Sequence, residues 1–196
     1  MPYKTNPKLA GSGIVGCIPQ DGPCPYKCPD CYYQSGRGYN PDLVSNMPPS
    51  DWRVVRVNEG NDSNNQRDLV IERTLGYNHK FYDSSVPVHI PDFPGPIVIT
   101  VNPGKMRDVA FHKIKDPIPD NLMFVRVLAT TWNKSIRDKA IEYYTSRKVP
   151  VVLTWFRFWE TAYEMPEQDW CAYEYRKHVT NEYWAIKNWA WKIEME

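Results

Sequence analysis

Six short runs rich in β-branched and apolar residues recur along this chain, separated by stretches with helical spacing or by prolines. They lie at 13–18 (GIVGCI), 53–58 (RVVRVN), 80–84 (KFYDS), 96–102 (PIVITVN), 122–129 (LMFVRVLA) and 150–156 (PVVLTWF). Most are nearly continuous in apolar residues, the pattern of strands covered on both faces. Alternation with helical segments predicts a parallel sheet with crossover connections. The run at 80–84 is the least apolar of the six.

Between them, 63–75 begins with Ser63 as a helix cap and spaces Leu69, Val70 and Leu75 for a buried stripe. The segment 133–147 does the same with Asn133 as cap and Ile136, Ala140, Ile141 and Tyr144 inward. A last helix is expected over about 173–192, where Trp184, Ile186, Trp189 and Trp191 are too many for one face. The proline-rich connections 46–52 and 86–96 read as extended loops. With no repeat and no long linker, residues 1–196 are expected to form a single α/β domain, a partial (β/α)6 TIM-like barrel of parallel strands.

The 24 basic and 23 acidic residues leave a net charge of +1, so bulk electrostatics point to neither a nucleic acid nor an anionic membrane. No apolar run approaches the roughly 20 residues that span a bilayer, and the polar start lacks the apolar core of a signal peptide. A cytoplasmic protein is expected, where clustered cysteines are more often metal ligands or redox centres than disulfides.

Ligands of parallel α/β folds collect at the carboxyl ends of the strands. After the first run comes CPYKCPDCYY, 24–33, which holds three of the five cysteines. A closed zinc site wants four ligands, and Cys17, Cys24, Cys28 and Cys31 could supply them. However, the spacing is not the paired C-x2-C of zinc ribbons, and Cys17 sits inside a strand, where a small buried hydrophobe is its simpler role. Iron–sulfur clusters are usually held by four thiolates, so three leave one iron open to another ligand.

C-x3-C-x2-C in the loop after the first strand of a partial barrel, here within 17–36, resembles the radical S-adenosylmethionine superfamily. The resemblance implies that Cys24, Cys28 and Cys31 hold a [4Fe-4S] cluster whose open iron chelates S-adenosylmethionine. It further implies that an electron, delivered by a donor such as flavodoxin or ferredoxin, cleaves the cofactor to methionine and a 5′-deoxyadenosyl radical. That radical abstracts hydrogen from a small-molecule or peptide substrate that the sequence does not identify. Oxygen sensitivity is implied as well.

The segment Asn58, Glu59, Gly60 is similar to the family's Gly-Gly-Glu segment that receives the cofactor's amino group, with Asn58 in place of the first glycine. Asp62 competes for the same role. The family's aromatic before the last cysteine is Asp30 here, so Tyr32 or Tyr33 would supply a ring for adenine. Thr130 and Thr131 are ribose candidates. Asn102 and Lys105 sit at a strand-to-helix turn suited to an anion. Arg126, within an apolar strand, needs a partner or an interior carboxylate. Arg157 lies among aromatics, the four histidines show no metal spacing, and Cys171 stands alone. Two other readings stay open: a structural zinc-binding module, and a degenerate relative that keeps the cluster loop without turnover.

Overall fold

The computed structural model describes residues 2–26, 31, 33, 40, 44–51, 54–101, 113–129 and 134–155. Its strands are β1 (Ile14–Cys17), β2 (Val54–Val57), β3 (Lys80–Ser84), β4 (Ile97–Val101), β5 (Leu122–Ala129) and β6 (Val151–Trp155). They follow one another in the sheet in chain order, and the pairs β1–β2, β2–β3, β3–β4 and β5–β6 are parallel. All six expected strands are present within a residue or so of their expected ends.

Described helices are fewer than six crossovers would supply. They are α1 (Arg67–Thr74) between β2 and β3 and α2 (Lys134–Thr145) between β5 and β6. The β3–β4 connection carries only a 3-10 turn, Ile90–Asp92, as its prolines at 87, 91, 94 and 96 dictate. The expected C-terminal helix lies outside the described residues.

The chain divides into two compact units, Met1–Ile99 with Pro119–Leu122, and Thr100–Ile118 with Met123–Glu196. In the first, β1 is buried throughout and Val55, Val57, Phe81, Tyr82, Ile97, Val98 and Ile99 form the core. Register places Ile14, Gly16, Val54, Arg56, Phe81 and Asp83 on one face and Val15, Cys17, Val55, Val57 and Tyr82 on the other. Helix α1 covers the second face: Val70 is fully buried and the Thr74 hydroxyl lies 3.2 Å from that of Tyr82. The charged pair Arg56 and Asp83 therefore belongs to the face opposite α1.

Helix α1 corrects the expected cap. Its N-cap is Gln66, in the left-handed region at φ 54°, without a side-chain cap bond. Ser63 is spent elsewhere: its Oγ accepts from Asn58 Nδ2 at 3.0 Å and its N–H donates to Asp83 O at 3.0 Å. Tertiary demand outbids the local cap preference, and the helix starts a turn later. Leu75, expected inward, is 65% exposed.

In the second unit, β5 and β6 bury Phe124, Val125, Val127, Val151 and Val152. Helix α2 turns Ile136, Ala140 and Tyr144 inward as expected, while Ile141 is only half-buried. Its expected cap, Asn133, lies outside the described residues.

Candidate functional site at the carboxyl ends of β1 to β3

Strand β1 leads into the cysteine loop, and β2 beside it ends in Asn58, Glu59 and Gly60. Cys17 pairs in register with Val57, so these two exits leave the sheet side by side. The Cys17 carbonyl accepts from the N–H groups of both Asn58 (2.8 Å) and Glu59 (3.3 Å), which docks the end of β2 on the end of β1. Asn58 makes the turn in the left-handed region at φ 67°, a conformation asparagine tolerates better than most side chains.

Glu59 folds back over β1, its side chain only 3% exposed. Asn6 Nδ2 donates to its Oε1, and Arg56 Nη1 lies 3.8 Å from the same oxygen. A Cβ built on Gly16 would come within 1.7 Å of Glu59 Oε2, so the carboxylate occupies the space that a side chain at position 16 would take. Gly60 does the same for Tyr33: a Cβ there would lie 2.3 Å from Cε1 of that ring. Arg56 Nε also bonds Asp83 Oδ2 on β3, which places one guanidinium between two buried carboxylates.

Asp62 stands in different surroundings. Its Oδ1 accepts from Asn64 N (2.9 Å) and Ser84 Oγ (2.8 Å), its Oδ2 from Ser85 N (2.7 Å) and Ser85 Oγ (2.9 Å). Burial pushes its carboxyl above the ordinary value, and these four bonds only partly oppose that. Gln20, fully buried just past β1, donates from Nε2 to the carbonyls of Asp62 (2.9 Å) and Asn65 (2.8 Å). The first limb of the cysteine loop is tied down here as well, because Asn61 Nδ2 donates to Gly22 O and Arg73 Nη1 to Pro19 O.

The side chains of Cys24 and Cys31 are half-buried. Tyr26 joins the first of them to this region: burial pushes its hydroxyl up, and the charges of Asp62 and Cys24 add to the effect. Cys17 is fully buried, and burial drives its thiol far above the ordinary range although a backbone N–H from Asn58 opposes this. Among the described residues no group of three or more His, Cys, Asp and Glu side chains is gathered to hold a metal, but Cys28 lies outside them.

The structure thus brings together Tyr33, Asn58, Glu59 and Gly60, with Asp62 built into the adjoining turn. Asp30, Tyr32, Asn102, Lys105, Thr130, Thr131, Asn133, Arg157 and Cys171 lie outside the described residues. Arg126, in the second unit, is 3% exposed, with its guanidinium 5.8 Å from the Phe124 ring and Nη1 3.5 Å from Thr100 Oγ1.

Sequence reasoning passed over Asn6, Arg56 and Asp83. A signal existed for Arg56, a charge inside a valine-rich run, which is the same argument that singled out Arg126. Among the described residues no helix is long and apolar enough to cross a membrane. Compared with known proteins, the chain matches no family model, no curated protein and no solved structure.

Proposed function

We propose that this chain is a radical S-adenosylmethionine enzyme in which Cys24, Cys28 and Cys31 hold a [4Fe-4S] cluster and the end of β2 receives the amino group of S-adenosylmethionine. The observation that carries the reading is the adjacency of β1 and β2: the strand that opens into the cysteine loop and the strand that ends in Glu59 and Gly60 are parallel neighbours in register. The six parallel strands suit the partial (β/α)6 barrel of that family.

Three thiols in one short segment are the donor set that the cluster reading needs. Cys24 and Cys31 are half-buried after β1, whereas Cys17 is fully buried within the strand itself, a place that suits a packed side chain better than a fourth ligand for zinc. When bound, such a cluster supplies one electron and an open iron to the cofactor. The chain's own residues bind and orient: Glu59 offers a carboxylate to the ligand ammonium, and Gly60 lets the Tyr33 ring pack against the end of β2. Asn58 holds the turn. Asp62 is committed to its own loop, so Glu59 is the better counter-ion. The substrate is a small molecule or peptide, and the electron donor a flavodoxin or ferredoxin.

The test is anaerobic reconstitution with iron and sulfide, reduction, and electron paramagnetic resonance with and without S-adenosylmethionine, followed by assay for 5′-deoxyadenosine. A reduced-cluster signal that shifts with the cofactor, with nucleoside formed, is expected. Cys24→Ala, Cys28→Ala and Cys31→Ala should each take iron from about four per chain to near zero, while Cys17→Ala retains it. A colourless protein holding one zinc through Cys17 as well would overturn the reading. A shifted signal with no nucleoside would instead mark a chain that binds the cofactor without turning it over.

A further inference from the structure

The carboxylate proposed to receive a ligand ammonium is 3% exposed, and a donor from the chain's own start already sits on it. Residues 2–9 lie along β1. Tyr3 Oη donates to Gly16 O at 2.8 Å; Lys4 N donates to Asn46 Oδ1 and Asn46 Nδ2 to Lys4 O, both at 2.9 Å. The main chain of Asn46 is in turn bridged to Ile18 in both directions, at 2.8 and 2.9 Å. Within this segment Asn6 is nearly buried, and Leu9 is the only buried apolar side chain among the described residues. Hydrogen bonds tie residues 3–6 to β1, Asn46 and Glu59, and a segment with few buried apolar side chains is of the kind that opens locally.

We infer that residues 2–9 form a releasable strap in which the Asn6 amide stands in for the ligand ammonium on Glu59 Oε1. An amide N–H and an ammonium N–H present the same donor to a carboxylate oxygen, so the two compete for one acceptor. Ligand entry and strap release are then a single exchange, and the apparent affinity is reduced by the fraction of chains in which the strap is closed. Gly16 contributes by carrying the strap's Tyr3 bond on its carbonyl while leaving room above its Cα for the carboxylate. This inference rests on the function proposed above.

The experiment measures equilibrium binding of S-adenosylmethionine to the anaerobically reconstituted full chain, in wild type, Asn6→Ala and Asn46→Ala. The Asn46 variant loosens the strap through Lys4 without changing what touches Glu59. Both variants are expected to bind about tenfold more tightly, the scale of one hydrogen bond to a charged group removed from the closed state in Asn6→Ala and of two neutral ones with the Lys4 main chain in Asn46→Ala. In the wild type, hydrogen exchange at the Lys4 amide should speed up when ligand is added, a readout that needs no substitution. Weaker binding of Asn6→Ala together with slower exchange on ligand addition would mean that Asn6 positions Glu59, and would overturn the strap. Unchanged affinity in both variants would overturn it too. Failure of wild type and variants alike to bind would overturn the underlying reading and the strap with it, whereas wild-type binding combined with either of the two adverse results above would fault the strap alone.

Discussion

Two buried carboxylates stand three residues apart at the end of β2, and they are held in opposite ways. Asp62 is bound by its own turn and by the adjoining end of β3, through two backbone N–H groups and two serine hydroxyls that fill both oxygens. Glu59 reaches back across β1 and is met by two side chains, Asn6 from 53 residues away and Arg56 from β2 itself. Backbone donors cannot leave without unmaking the turn, but side-chain donors can rotate away. The difference teaches that two buried carboxylates a few residues apart can be held with different freedom, one partly by backbone N–H groups and the other by side chains.

The sharpest way to break the comparison is through Arg56, which lies between Glu59 and Asp83. With its side chain 13% exposed and theirs 3% and 7%, removing the guanidinium leaves two acidic groups buried without the cation between them. Arg56→Met is expected to cost about 3–5 kcal/mol, the scale for removing one partner of a buried ion pair, read as a lowered denaturation midpoint. Arg56→Lys should recover only part of this, because a point charge cannot span both carboxylates as a planar fork does. A neutral Arg56→Met would show that the cluster is solvated and that Glu59 is not held as described.

Next in size is the direct exchange of roles. Asp62→Ala strips the acceptor from four donors and should cost about 2–3 kcal/mol, while Glu59→Gln, close in shape, should change stability by less than about 1 kcal/mol. Binding should run the other way: S-adenosylmethionine affinity is expected to fall at least about tenfold in Glu59→Gln, where a neutral amide replaces a charged acceptor, and to hold in whatever fraction of Asp62→Ala folds. Calorimetry with the reconstituted chain reads both quantities. Affinity lost at Asp62 and kept at Glu59 would reverse the assignment.

The strands of this arrangement were legible because β-branched runs such as IVITV carry their own signal, and even KFYDS, the least apolar, occupies its expected span. What made KFYDS doubtful is what makes it useful: Asp83 and Ser84 are polar yet buried, one facing Arg56 and the other Asp62. No local pattern could supply those partners. Asn6 and Glu59 lie 53 residues apart, Arg56 and Asp83 lie 27 apart, and both pairs exist only through the placement of neighbouring elements. The helix cap failed for the same reason in reverse, since Ser63 satisfies its local rule on paper but is claimed by Asn58 and Asp83. Cys24, Cys31 and Glu59 could be singled out from short local motifs, whereas Asn6, which meets Glu59 from 53 residues away, is brought there only by the fold.

Gly16 gives a smaller effect that sharpens the Glu59 side alone. Gly16→Ala places a Cβ 1.7 Å from Oε2 and 2.6 Å from the Glu59 carboxyl carbon, so the carboxylate must move. A loss of about 1–3 kcal/mol is expected, as for other forced insertions into packed sites, together with altered cofactor affinity. Gly76→Ala is the control: a Cβ there meets nothing within 4 Å, and it should leave both stability and binding near wild type. Equal losses at the two glycines would mean that the crowding against the Glu59 carboxylate is not what governs position 16.

The smallest effect concerns protons on Asp62. Burial outweighs its four hydrogen bonds, so its carboxyl sits above the ordinary value and the folded chain keeps that proton to higher pH than the unfolded chain does. The stabilisation from this group is therefore complete below the ordinary Asp value of about 3.9 and is lost as pH rises through the raised folded value. The stability difference between wild type and Asp62→Asn, measured by denaturant unfolding from about pH 4 to 7, should shrink as pH rises. A difference that grows with pH would mean that the donors of Ser84, Ser85 and Asn64 outweigh burial and hold Asp62 as a tightly bound anion.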